Sequence, residues 1–264
     1  MTAGYAWITL TTDYGLSDGF RAMLHGVIAR QAPDVRVIDV THEIHPADVA
    51  RGARVLAQAA PHMPVAVHVA IVDPGVGTER RAIAVRTPGG LLVGPDNGLL
   101  MPAADALGGA EAAVELTNTE WHLAGVSATF HGRDLFAPVA ARLAGGAPFD
   151  KAGGAVDVDK LIRLPAPAVR VGDGFVEAEV LTVDRFGNVQ LAAPSGPGLE
   201  ALGSGQVLVG GLNATCSPTF GSVPNGSMLV FGDSAGYLAI AINNGLAVVA
   251  LGVEPGELVR IDRV

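Results

Sequence analysis

The 264-residue chain is long enough to bury a sizeable apolar core, either as one large α/β domain or as two smaller ones. With 49% hydrophobic and 16% charged residues it is not a disordered chain, and no run approaches the roughly 18 uncharged apolar residues of a membrane span. A net charge of −9, from 17 Lys and Arg against 26 Asp and Glu, argues against phosphate-backbone binding and for a cationic or neutral ligand. The single cysteine, Cys216, has no intrachain partner for a disulfide, and the N-terminal residues lack a basic segment leading into an apolar stretch, so a cytoplasmic protein is expected.

Residues 6–11 are a β-rich run, and Phe20, Leu24, Val27, Ile28 and Gln31 then recur at helical spacing, which predicts a strand followed by a helix. Residues 35–40 predict a second strand, residues 49–60 an amphipathic helix, and residues 65–72 an almost wholly apolar strand of the kind buried on both faces of a parallel sheet. Strands over residues 82–86 and 91–93 follow, and Leu135, Val139 and Leu143 mark a further helix before Gly145-Gly146. At Leu161-Ile162-Arg163-Leu164-Pro165-Ala166-Pro167 the prolines disfavour helix, and beyond them the segments turn short, β-rich and glycine-punctuated. The expected organisation is therefore an α/β domain with a largely parallel sheet over residues 1–163 and a smaller β domain over residues 164–264. Within the latter, residues 175–183, 206–209, 228–231, 237–242 and 258–261 read as antiparallel strands able to close a barrel, with only weak helical signals between them.

The loop Thr11-Thr12-Asp13-Tyr14-Gly15-Leu16-Ser17-Asp18-Gly19 sets two carboxylates at the carboxyl end of a parallel strand, where open α/β sheets bind ligands. It has no G-x-G-x-x-G pattern, and Asp18 ahead of a helix reads first as an N-cap. Asp73, in Val72-Asp73-Pro74-Gly75-Val76-Gly77-Thr78-Glu79-Arg80-Arg81, emerges from another strand end within reach of a guanidinium, though an ion pair that merely fixes the turn explains the local sequence as well. In Phe130-His131-Gly132-Arg133-Asp134 the imidazole opens a helix whose dipole favours its neutral form, suited to orienting water or equally to holding a loop.

His42-Glu43-Ile44-His45 invites a metal, but Pro46 follows, the spacing is not that of H-E-x-x-H and there is no Cys cluster, so no metal site is expected. The G-x-S-x-G of a serine hydrolase is absent. In the second domain Asp184-Arg185-Phe186-Gly187-Asn188 joins an acid, an aromatic and an amide, which suits a ligand with an ammonium group and a heteroaromatic ring but also an ordinary β-turn. Phe220, Ser234 and Asn243-Asn244-Gly245 add polar and aromatic groups that are singly unremarkable in loops.

Taken in order, Thr12-Asp13-Tyr14-Gly15, Asp39-Val40-Thr41-His42, Val72-Asp73-Pro74-Gly75-Val76-Gly77, Pro95-Asp96-Asn97-Gly98, Phe130-His131-Gly132-Arg133-Asp134, Asp184-Arg185-Phe186-Gly187-Asn188 and Gly236-Tyr237-Leu238 resemble the adenosine-forming S-adenosyl-L-methionine hydrolases, or hydroxide adenosyltransferases, relatives of fluorinase and chlorinase. The resemblance spans nearly the whole chain, and it is the ordered set of motifs that is specific. It implies attack of water at the ribose C5′ carbon of S-adenosyl-L-methionine, an N-terminal α/β domain, a C-terminal β-barrel, no cofactor, and a homotrimer with active sites between neighbouring subunits. Asp73, Arg80 and His131, with Arg81 as the substitute for Arg80, match the hydrolytic set. Similarity with the halogenating relatives assigns Asp13 to the ribose hydroxyls, Asp18 and Asp184 to the methionine ammonium, Ser234 to its carboxylate, Asn188 to adenine, and Phe186 and Phe220 to the ring.

Two departures from fluorinase favour water over halide: Asp73 and His131-Gly132 stand where fluorinase has a Tyr and a Tyr-Ser pair, and the insertion near residues 82–90 is missing. Ala47 and Ala235 also replace an aromatic and an Arg, so contacts there differ. A halide-using adenosyltransferase and a binding module without turnover are the alternatives.

Overall fold

Strand β1 (Trp7–Thr12), whose inner residues are all buried, is the centre of a parallel arrangement. It pairs in parallel with β2 (Arg36–Thr41) on one side and with β3 (Ala66–Ile71) on the other. The computed structural model describes residues 4–264, and the chain divides at Leu164/Pro165 into two compact units. In the first, the parallel pairing continues from β3 to β5 (Gly90–Pro95). Beyond it β4 (Ala82–Thr87), β6 (Ala112–Glu115) and β7 (Gly154–Val156) add three antiparallel strands, giving the order β2-β1-β3-β5-β4-β6-β7. The two last are short, three or four residues, which is why no periodic signal announced them.

Helices cover both faces of this sheet, as the all-buried sequence of β3 requires. On one face α1 (Phe20–Gln31) presents Leu24, Val27 and Ile28 to a core shared with Val139 and Leu143. On the other, α2 (Val49–Ala59) and α3 (Met101–Ala106) bury Ala53, Leu56, Met101 and Ala103 against Val72 and Leu92. Helix α2 is capped by Asp48, which accepts from Arg51 N at 2.9 Å. Helix α1 has Gly19 at its N-cap and no side-chain cap, so the capping role expected of Asp18 is not the one observed. A final helix, α4 (Ala137–Ala144), ends at Gly145 and is entered through a single wide π turn over Gly132–Phe136.

One polar side chain inside this sheet has a measurable consequence. His68, 1% exposed on β3, shares a 2.9 Å hydrogen bond with the hydroxyl of Thr9, its neighbour across β1, while its Nε2 has no partner. Burial pushes its pKa down from 6.5 to about 4. The unfolded chain therefore takes up a proton that the folded chain refuses between those values, so stability is complete above pH 6.5 and falls as the pH drops towards 4. The full span is worth about 3 kcal/mol. Denaturant titrations should show His68→Gln flattening the pH dependence between 6.5 and 4.5 by up to about 1.4 kcal/mol per pH unit; an unchanged slope would assign the acid sensitivity to other groups.

The second unit is a closed seven-stranded barrel. Its strands are β9 (Phe175–Val183), β10 (Val189–Pro194), β11 (Gly205–Val209), β12 (Leu212–Cys216), β13 (Met228–Gly232), β14 (Tyr237–Ile242) and β15 (Leu258–Arg263), in the order β10-β14-β13-β12-β11-β15-β9, with the β9–β10 pairing closing the ring. A further strand, β8 (Val169–Gly172), flanks β9. Pairing is antiparallel except between β12 and β13, which run parallel. Alternate residues of β9, Val176, Ala178 and Val180, face the barrel core with Ile240 and Ile261. Two short helices, α5 (Ser195–Leu202) and α6 (Ala247–Leu251), accompany the barrel in segments whose helical signal is weak. Among the described residues no helix is long and apolar enough to cross a membrane.

Candidate functional site

The carboxyl ends of β1 and β3 release two loops side by side, and a third, leading into the π turn, closes on them. Gly77, at φ +78°, lies so close to the carbonyl of Ala128 that a Cβ there would collide with it, and this contact brings the 128–131 segment against the Asp73 loop. At Gly132 the same argument concerns a side chain: a Cβ would occupy the space of the Tyr14 hydroxyl. Tyr14, Phe20 and Phe130 stack mutually, with ring centroids 5.3–5.9 Å apart, and fix the first loop to the third.

These loops bring Asp73, Arg80 and His131 together. Arg80 Nε donates to both Asp73 oxygens, at 2.9 and 3.0 Å, its Nη2 donates to Oδ2, and the same Nη2 reaches Nδ1 of His131 at 2.9 Å. The guanidinium also lies over the Phe136 ring, 5.2 Å from its centre. A guanidinium only donates, so Nδ1 is the acceptor and the neutral ring carries its proton on Nε2. Burial, then the charge of Arg80, lowers the His131 pKa below its ordinary value, against opposing effects of Asp73 and Asp134. Arg81 is elsewhere: it pairs with the buried Asp96 through Nε at 2.8 Å and donates to the carbonyl of Lys160. Asp96 also accepts from Ile162 N, and Asn97 ties Val72 O to the end of β5, so the Pro95-Asp96-Asn97-Gly98 motif is scaffold.

Asp73 and His131 line a cleft of about 100 Å³ together with Asp13, Tyr14, Ala47 and Thr129. Asp13 accepts from the backbone N–H of Ala47 at 3.0 Å; burial raises its pKa, helped by the charge of Asp73 and offset by that hydrogen bond. Ala47 sits at φ +66°, a left-handed conformation that costs an alanine energy and marks a backbone held for a purpose. Burial and then the charges of Asp13 and Asp73 push the Tyr14 phenol far above its ordinary pKa, keeping it neutral. Neither Tyr14 nor Ala47 carries a sequence signal for this cleft, and at Ala47 the reason is that a backbone donor leaves no mark in residue types. Asp18 is exposed and outside the lining of this cleft.

In the barrel unit a separate pocket of about 390 Å³ is lined by Phe186, Asn188, Phe220 and Asn243-Asn244-Gly245. Phe186 is 69% exposed, a large apolar ring presented to solvent. The Asp184 carboxylate is spent on its own loop, accepting from Phe186 N, Asn188 N and Asn188 Nδ2 at 2.8–2.9 Å. Ser234 is exposed in the β13–β14 turn, which Asp233 organises by accepting from Ala235 N and Tyr237 N.

The protein is thus of a two-unit class: an α/β unit with a carboxylate, a guanidinium and an imidazole joined at its strand ends, and a barrel unit with its own aromatic and amide pocket. Residues 8–153 match the SAM hydroxide adenosyltransferase N-terminal domain and residues 178–260 the C-terminal domain of the same name. The chain belongs to the SAM hydroxide adenosyltransferase family. It is 62% identical over 256 residues, 97% of each chain, to a Salinispora tropica protein named (R)-S-adenosyl-L-methionine hydrolase. A Thermus thermophilus protein of the same name is 41% identical, over 95% of this chain and 97% of that one. An uncharacterized conserved protein from Thermotoga maritima has the same fold, with a TM-score of 0.90 at 37% identity over 97% of this chain and all of that one.

Proposed function

We propose that the protein hydrolyses S-adenosyl-L-methionine at C5′ to adenosine and L-methionine, with Asp73, Arg80 and His131 as its hydrolytic residues. The reading is carried by the bridge that Arg80 makes between Asp73 and His131 at the edge of the cleft containing Asp13. The sulfonium activates C5′ and makes methionine a neutral leaving group, so catalysis requires mainly one water in line and a destination for its proton. The water oxygen bonds to C5′ as the C5′–S bond breaks, and the surplus proton passes to Asp73 and then to solvent. His131, with Nδ1 occupied by Arg80, donates from Nε2–H to the water oxygen, while Asp73 accepts from the water's own hydrogen; one donor and one acceptor fix its remaining lone pair.

Asp13 is assigned to the ribose hydroxyls, Asp18 and Asp184 to the ammonium, Ser234 to the carboxylate, and Asn188, Phe186 and Phe220 to the adenine. The binding of Asp184 to its own backbone supports a loop-shaping part alongside any contact with the ammonium. The same reading takes the substrate to be the (R) sulfonium epimer, on the strength of the relatives' names, and the enzyme to be a cytoplasmic homotrimer, with intersubunit sites and no cofactor. The test is chromatography of products from purified protein given each epimer: equimolar adenosine and methionine, faster from (R), are expected. No turnover would favour a binding module, and 5′-chloro-5′-deoxyadenosine on adding chloride would favour halide transfer. A pH series adds a check on His131. Because its pKa lies below 6.5, kcat/KM should hold down to pH 6.5 and decline below it, and His131→Gln should lose both the rate and that decline.

A further inference from the structure

We propose that His25, Asp39 and His42 form a binding site for a zinc-class divalent cation, separate from the catalytic cleft and independent of the catalytic reading. His25 stands on α1, Asp39 on β2 and His42 just after it, and one ligand atom from each lies within 4.8 Å of the other two. Asp39 Oδ1 is 2.8 Å from His25 Nε2 and 3.0 Å from His42 Nε2. Ligand atoms about 2.1 Å from a tetrahedral ion stand about 3.4 Å apart, so the two separations from Asp39 Oδ1 would open by about half an ångström.

The second observation is an orphaned nitrogen. The His42 side chain is 1% exposed, its Nδ1 is engaged by the Thr12 hydroxyl at 2.8 Å, and its Nε2, although close to Asp39, makes no hydrogen bond. A buried ring nitrogen that faces a carboxylate without a hydrogen bond, while the ring's other nitrogen is held by an outer hydrogen bond, is the arrangement of a metal-ligating imidazole. His25 and Asp39 are 34% and 24% exposed, which leaves an entry path and an open position for water. The opposing charge is Arg21, whose Nε lies 3.0 Å from Asp39 Oδ2. It faces solvent at 46% exposure and holds the oxygen that the ion does not use, so it reduces affinity without blocking the site.

Two imidazoles and one carboxylate suit Zn²⁺, Co²⁺ or Ni²⁺ rather than Mg²⁺ or Ca²⁺. The sequence concealed the set because its third member is on another element: His45, the apparent partner of His42, is exposed and apart from the group. Calorimetric titration of untagged, chelator-treated full-length protein with Co²⁺, read in parallel by visible absorption, tests the proposal. One saturable site per chain is expected, weakened at least about tenfold in His25→Gln and in Asp39→Asn. His25→Gln is a half-exposed change that leaves the core intact, and circular dichroism checks its fold. Absence of saturable binding up to about 1 mM, or equal binding by wild type and His25→Gln, overturns it.

Discussion

Asp73→Asn should lower kcat by about two to four orders of magnitude with KM nearly unchanged, the loss associated with removing a group that accepts the nucleophile's proton. The Asn oxygen still accepts from Arg80, so the guanidinium and its bond to His131 stay in place and the cleft keeps its shape. What disappears is the anion that both aims the water and takes its proton. Steady-state kinetics, with substrate affinity measured separately by calorimetry, checks the split. Retained turnover would remove Asp73 from the chemistry, and loss of binding alone would make it a substrate contact.

Arg80→Ala should damage stability and activity together. The Asp73 and Arg80 side chains are 6% and 10% exposed, and deleting the cation leaves a buried carboxylate with no counter-charge, at a cost of about 3–5 kcal/mol. His131 loses the donor to its Nδ1 at the same time, so its tautomer is no longer fixed. Arg80→Lys keeps the charge but cannot serve Asp73 through two nitrogens while reaching His131, so it should restore much of the stability and little of the rate. The double change Asp73→Ala with Arg80→Ala removes both charges and should be less destabilised than Arg80→Ala alone, yet remain inactive. Equal destabilisation of the two would mean the ion pair contributes little to folding.

The elements with strong periodicity were legible before the structure. The apolar runs of β1 and β3, the helical spacing of Leu24, Val27 and Ile28, and the change of character near Leu161-Pro167 all have simple physical signatures, because a strand buried on both faces can only be apolar. The three-residue β7 and the barrel strand β10 do not, since their pairing is set by distant partners. Short helices such as α5, begun after Pro194 and containing Gly196, Pro197 and Gly198, form against local propensity under tertiary contacts.

For the cleft, residue types pointed to Asp73 and His131 but left Arg80 and Arg81 level; only the geometry separates the arginine that joins the two from the one that anchors Asp96. The Ala47 backbone donor, the space kept open at Gly132 and the His131 tautomer have no sequence signature at all.

The most direct test of water attack at C5′ is turnover of S-adenosyl-L-methionine in H₂¹⁸O with mass spectrometry of both products. Attack at C5′ places one heavy oxygen in adenosine and none in methionine, at every extent of reaction. Unlabelled adenosine, or 5′-methylthioadenosine in its place, would contradict it.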